Sequence, residues 1–396
     1  MKKVALTTVA LAIFNTCSAD PVATNAALSW AMMSNQSGVG KEINLLQARQ
    51  NGLNTLITIG GFAAGNLIDQ GLNQAGQFNA VPLEDKSLFT ESQGSNSDSA
   101  TQLAVSHANL AITAALGSWV TTYIQTGASS LGQGNADTLS VQDSYTVIGN
   151  LAKNPMYVFM GKKDIDFGSF ATVDMYAQPL TRTSFSALGN TMGMGVNTHG
   201  FNGTISFMNG GDNNSPFSNT HGLDTTNLNF ASNNAVNLSY GMNTLGVNWT
   251  LGTGYLQGST FANTSNGNNG AWDMNGKLSV AGFDLLTEFD TTLQATNHNM
   301  GNDTNRANAW SLGADYHFSA VGLLSVMSAE YSALSLAGGS NNQFGQFVVG
   351  YRILPVSNVW AGIEYAYNKN GSSATGLIYG SGYRSSTALL DVTAAF

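Results

Sequence analysis

The chain has 396 residues, 43% apolar and only 9% charged, with a formal net charge of −9. An ordinary soluble domain carries roughly 25% charged residues, and a nucleic-acid binder needs a basic face that this acidic balance does not supply. Mean hydropathy is −0.03, and no run of about 18 apolar residues follows the N-terminal segment, so membrane-spanning helices are not expected either. Strands that turn one face to lipid and the other to water average out to such a composition.

In chain order, residues 1–19 read as a secretory signal. Lys2 and Lys3 form a basic start, Val4 to Phe14 an apolar stretch, and Cys17-Ser18-Ala19 a small-residue approach to a cut before Asp20. Lipidation of Cys17 is the alternative, disfavoured by the preceding Phe14-Asn15-Thr16. The 14 Lys and Arg fall to twelve once Lys2 and Lys3 leave, against 23 Asp and Glu. The sole cysteine leaves too, and with it any disulfide or thiolate metal site. Residues 20–52 read as an N-terminal periplasmic arm, with a helix over 42–50 too short for coiled-coil heptads.

From residue 53 the pattern has period 2. Leu285, Thr287, Phe289 and Thr291 alternate with Asp284, Glu288 and Asp290. Trp310, Leu312, Ala314 and Tyr316 alternate with Ser311, Gly313, Asp315 and His317. Alternate side chains of a strand face opposite sides, so each such segment has one greasy and one wet face. Strands are expected near 53–64, 103–115, 117–126, 141–150, 156–163, 187–198, 200–209, 235–242, 244–257, 270–281, 283–296, 308–318, 323–336, 343–352, 358–367 and 385–396. The connections alternate long and short. Short turns fall at places such as His199-Gly200, Asn243 and Ala281-Gly282, and long loops at places such as 65–102, 164–186 and 210–234. Short periplasmic turns and longer outside loops are the habit of membrane barrels. The fold class is therefore all-β, a transmembrane antiparallel up-and-down barrel of about 16 strands, embedded in outer-membrane lipid. Trp119, Tyr123, Trp310, Tyr316, Trp360, Tyr365 and Tyr367 are expected in aromatic girdles at the interfaces. The last strand, with Ala388, Leu390, Val392 and Ala394 on one face, ends in Phe396. It resembles the signal read by the barrel assembly machinery, a partner this ending implies.

One stretch carries a more specific likeness. It runs Asp143-Ser144-Tyr145-Thr146-Val147-Ile148-Gly149-Asn150-Leu151, Asn154-Pro155-Met156-Tyr157-Val158-Phe159-Met160-Gly161-Lys162-Lys163 and Asp166-Phe167-Gly168, then Pro179-Leu180-Thr181-Arg182 and Gly189-Asn190. Over 141–209 this resembles the LbtU family of siderophore porins. The resemblance implies a 16-stranded barrel that admits ferric siderophore. Asp166 stands where the family's Pro-Phe-Gly loop would have proline, and the N-terminal coiled coil of that family is short or missing.

Sixteen strands enclose an aqueous channel, whereas energy-coupled transporters have 22 and a plug. Diffusion of small hydrophilic solutes, without energy coupling, is the activity this implies. The segment 164–186 exceeds a simple hairpin and holds Asp164, Asp166, Asp174 and Arg182, suited to a lumen-narrowing loop or to a plain surface loop. Lys162 is expected to face inward, with Tyr157, Phe159 and Gly161 toward lipid; Asp143 is also placed inward. Asp284, Glu288, Asp290, Asp315, Glu330, Glu364 and Asp391 fall on polar faces with Arg352 as their main basic counterpart. They would make an acidic wall that favours cations or simply wet the lumen. His107, His199, His221, His298 and His317 are scattered without metal-ligand spacing, and no Ser-His pair, cofactor motif or enzyme signature appears. A surface adhesin barrel and a secreted solenoid are the competing classes, and association into a homo-oligomer is open.

Overall fold

The computed structural model describes residues 21–34, 40–51, 56–73, 98–131, 139–208, 233–259, 261, 269–295, 306–335, 343–370, 382 and 384–396. The expected signal segment, His221, His298 and most of the Asn/Gly-rich stretches lie outside the described residues. Sixteen strands form the wall: β1 (Ile57–Leu72), β2 (Ser99–Leu116), β3 (Val120–Leu131), β4 (Leu139–Gly149), β5 (Met156–Asp164), β6 (Leu188–Thr198), β7 (Phe201–Met208) and β8 (Asn233–Thr244), then β9 (Val247–Leu256), β10 (Ala271–Val280), β11 (Phe283–Thr292), β12 (Asn308–Ala320), β13 (Leu323–Ser335), β14 (Gln343–Val356), β15 (Val359–Asn370) and β16 (Arg384–Ala395). Each pairs antiparallel with its chain neighbours, and β1 pairs with β16, so the sheet closes with no free edge. Closure satisfies every ladder group internally, the condition for a sheet inside lipid.

The alternation holds as the sequence implies. Along β16, Leu390 and Val392 stand on the outer face while Leu389, Asp391 and Thr393 are buried inside. Met160, Leu251, Met327 and Ile363 likewise open onto the outer face. This apolar outer belt with a polar interior makes the chain an all-β transmembrane barrel.

Four of the short connections are two-residue turns with both central residues at positive φ: His199-Gly200, Leu245-Gly246, Ala281-Gly282 and Val321-Gly322. That geometry matches the twist of the flanking strands. At Gly200 a Cβ would run into the Gly241 carbonyl oxygen, so the position is closed to other residues.

Three expectations are corrected. β1 runs to Leu72 rather than 64, and the long loop expected from 65 is shorter for it. Asn66 and Gln70 look like loop residues but point into the lumen, and Asp69 is bonded to Thr101 at the far end of the strand. Tyr123 and Trp360 are not girdle residues. Tyr123 is buried in the interior, and Trp360 stacks on Trp30 at 3.9 Å between centroids. Trp310, Tyr316 and Tyr365 do lie on the outer face. Finally, the arm expected to hang in the periplasm is folded into the barrel.

That arm forms α1 (Pro21–Met33) and α2 (Lys41–Gln50). Ser29 of α1 donates to the Phe396 carbonyl oxygen at 2.8 Å. Arg49 of α2 donates to the Val120 carbonyl at 2.8 Å, to Thr121 Oγ1 at 2.8 Å and to the Gly117 carbonyl, at the turn between β2 and β3. Met32, Leu45 and Leu46 bury themselves with Phe62, Tyr123, Tyr145, Tyr157 and Phe159. Each such apolar side chain contributes about 1.5–3 kcal/mol when fully buried. Helix α3 (Leu180–Phe185) lies in the segment between β5 and β6.

Candidate functional site

The interior of the barrel is narrowed from two sides. On one side the segment 165–187 leaves β5 and folds into the lumen. Several of its backbone N–H groups turn toward the wall, and buried N–H groups must find acceptors. Three glutamates on alternate strands supply them. Glu288 on β11 accepts from Ser169 N–H at 2.7 Å and from Phe170 N–H at 2.9 Å. Glu330 on β13 accepts from Thr172 Oγ1 at 2.8 Å and Val173 N–H at 3.3 Å. Glu364 on β15 accepts from Met175, Tyr176 and Ala177 N–H at 3.1, 3.3 and 2.7 Å. Further along, Leu180 N–H donates to Ser332 Oγ at 3.1 Å, and from the wall Arg352 donates to the Val173 carbonyl at 2.8 Å. Asn237 on β8 donates to the Gly168 carbonyl at 2.7 Å. The loop thus spans the lumen from β5 to β15. Hydrogen bonds to charged acceptors contribute about 1.5–3 kcal/mol each, more than neutral ones.

On the other side α1 and α2 cover the inner face of β1 to β5. A compact ion network ties α2 to the root of the loop. Lys41 Nζ lies 2.9 Å from Asp143 and 3.0 Å from Asp164. Lys163 Nζ lies 3.0 Å from Glu42 and 2.6 Å from Asp166, and 4.4 Å from the centre of the Phe159 ring. Burial alone would lower the Lys41 pKa, but Asp143 and Asp164 outweigh it and hold the ammonium above the ordinary lysine value. Lys163 serves two carboxylates with one charge. Burial, reinforced by Glu42, pushes Asp166 up to about 7 despite Lys163. Asp174, on the loop, is raised well above the ordinary carboxylate range by burial and by Glu330 and Glu364.

These groups make docking pH-dependent. With its pKa raised, Asp166 binds its proton in the docked state first. The resulting stabilisation is complete below the ordinary carboxylate pKa and is lost as pH rises through about 7. Asp174 acts in the same direction. The thermal midpoint of the detergent-solubilised protein is therefore expected to be higher near pH 5.5 than near pH 8.5. The gap should narrow in Asp166→Asn; an unchanged gap would remove Asp166 from this role.

A third group of charges lies on β10 to β14, toward the end of the barrel with the two-residue turns. Lys277 is 3.4 Å from Asp284, His317 is 3.0 Å from Asp315, and Arg352 is 3.6 Å from Asp315. Lys277 and His317 are partly open to the interior.

The sequence-based candidates therefore divide. Asp143, Asp164 and Asp166 gather in the α2 network. Glu288, Glu330 and Glu364 hold the loop, Arg352 donates to it, and Asp174 lies on it and accepts from Ser328 of the wall at 3.3 Å. Asp284 and Asp315 are met by Lys277 and Arg352, with the His317 ring 3.0 Å from Asp315, rather than forming a bare acidic wall. Asp290 is buried beside Glu288, and Asp391 is buried where it accepts from Thr393. Arg182 sits in α3, its field reaching Asp164 and Glu288. Lys162 is reversed from its expectation. It pairs with Ser144 on the outer face and donates to the Val141 carbonyl, while Tyr157, Phe159 and Lys163 point inward. The outward set on β5 is Met156, Val158 and Met160, equally apolar, so hydrophobicity could not choose the face. Lys41, Glu42 and Lys163 were missed. Their signal was a set of charges in a chain that has few.

No family model matches the sequence, and no curated protein matches it. Solved structures do. The anion-selective porin from Comamonas acidovorans is 14% identical, covering 86% of this chain and 99% of its own, with a TM-score of 0.56. OprB of Pseudomonas putida is 10% identical, covering 92% of this chain and 100% of its own, with a TM-score of 0.59. The outer membrane channel DcaP of Acinetobacter baumannii is 12% identical, covering 86% of this chain and 97% of its own, with a TM-score of 0.58. At such identities the likeness is one of architecture, and by architecture this chain is a 16-stranded barrel built like the outer-membrane porins.

Proposed function

We propose that the chain is a diffusion channel for small hydrophilic solutes in the outer membrane of a Gram-negative bacterium, working without energy coupling, and that ferric siderophore is among the solutes it admits. The observation that carries the channel reading is the loop 165–187, pinned across the lumen by Glu288, Glu330 and Glu364. A surface adhesin needs only an outer scaffold; a shaped, hydrogen-bonded constriction inside the ring serves passage. The porin and the outer membrane channels that share the architecture support the location and the diffusive mode. The siderophore reading is supported by the LbtU-type resemblance over 141–209, and Phe396 is the residue offered to the assembly machinery.

Purified protein in planar bilayers is expected to give stepwise conductance, and a sealed bilayer would defeat the channel reading. Under iron limitation, cells that carry the protein are expected to take up labelled ferric siderophore faster than cells that lack it. Equal uptake in the presence of normal conductance would leave a general pore and remove the siderophore from the reading.

A further inference from the structure

Behind the constriction loop, the wall of β10 and β11 holds three carboxylates that the channel reading does not use together. Asp273 is paired directly across the ladder with Asp290, and Glu288 lies two residues before Asp290 on the same inward face. Their nearest oxygens all lie within 4.8 Å of one another. Asp273 and Asp290 are 0% exposed and Glu288 is 3% exposed. Glu288 accepts the loop N–H groups, and Asp273 Oδ1 accepts from Asn275 at 2.6 Å. Both oxygens of Asp290 have no hydrogen-bond partner, while Asp273 and Glu288 lie within hydrogen-bonding reach of each other. Arg182 adds a favourable field at Glu288, whereas the groups acting on Asp290 are the other two carboxylates.

Ionised carboxylates brought this close in a dry site repel and lose their hydration, so a buried charge needs a counter-charge or a metal. The donors are all hard oxygens, which select hard cations over thiophilic or imidazole-seeking metals. Calcium takes oxygen ligands at about 2.3–2.6 Å, so two ligands across the ion are separated by about 4.6–5.2 Å. Magnesium, at about 2.0–2.1 Å and strictly octahedral, would draw the same oxygens further in. We propose that Asp273, Glu288 and Asp290 form a divalent-cation site of the calcium class, in which a bidentate Asp290 faces single oxygens of Asp273 and Glu288. Because Glu288 also holds Ser169 and Phe170, the ion stiffens the first turn of the constriction loop. The site stands on carboxylate geometry and is independent of which solute passes.

The test uses the full chain in detergent, stripped with a chelator and titrated with calcium by calorimetry, with terbium luminescence as a second probe. One saturable site is expected, together with a rise in thermal midpoint on adding calcium. Asp290→Asn is expected to weaken binding at least tenfold and to abolish the thermal response. The same substitution should raise the midpoint of the stripped protein, because it removes a repelling charge. If that variant does not fold, Asp273→Asn provides the same comparison. A stripped wild type with no saturable calcium binding overturns the proposal and means that protons neutralise the cluster. Binding that survives Asp290→Asn but is lost in Asp284→Asn places the ion at the Asp284, Asp315 and His317 group and overturns it equally.

Discussion

Deletion of residues 20–50 is expected to raise single-channel conductance several-fold while the barrel still assembles. A helix with its side chains is about 10–12 Å across, and two helices remove a large share of the bore of a 16-stranded ring. The wall does not depend on them: β1 to β16 close through their own ladder. The deletion exposes Tyr123, Tyr145, Tyr157 and Phe159 to lumenal water and strips Asp143 and Lys163 of their partners Lys41 and Glu42. The truncated barrel should therefore be less heat-stable yet still show the shifted gel migration of a folded barrel. Conductance equal to that of the full chain, measured in the same bilayer, would mean that the helices do not stand in the path of ions.

The second large effect concerns the loop. In Glu364→Ala the N–H groups of Met175, Tyr176 and Ala177, the last two buried, lose the carboxylate they share. An unsatisfied buried donor costs about 1–3 kcal/mol. Because the three share one carboxylate and can move together, the loss of loop docking is expected on the order of 3 kcal/mol. Adding Glu330→Ala removes an acceptor of the Thr172 hydroxyl and the Val173 N–H as well. The double variant should conduct more, with rapid current fluctuations as the segment leaves the wall. Glu364→Gln keeps one carbonyl acceptor and should fall between. A double variant with the quiet, unchanged current of the wild type would show that the loop does not set the bore.

Much of the barrel was legible because it rests on alternation, which a strand imposes on every second residue. The last strand, with Leu390 and Val392 out and Asp391 in, follows this rule residue by residue. It fails where both faces are apolar. On β5 the inward set Tyr157 and Phe159 is as hydrophobic as the outward set Met156, Val158 and Met160, because the inward face is covered by α2 rather than by water. Covering by the two helices, Trp30 of α1 in the case of Trp360, also hid Tyr123 and Trp360 from a reading that sent aromatics to the membrane interface. The roles of Glu288, Glu330 and Glu364 depend on partners more than 100 residues away in the chain. Nothing local to Glu364 reveals that it receives the backbone of Ala177. The helix expected over 42–50 was visible, but its location was not, since a short helix carries no mark of what surrounds it.

The hydrogen bond from Ser29 to the Phe396 carbonyl ties the first helix to the barrel wall. Phe396 also exchanges backbone bonds with Gly61 across the seam that joins the first strand to the last. The berth of the first helix thus lies on the seam itself, and mooring α1 there requires β1 and β16 to be joined in register. Clasp and occupant stabilise one another, so a substitution that loosens either should be felt at both.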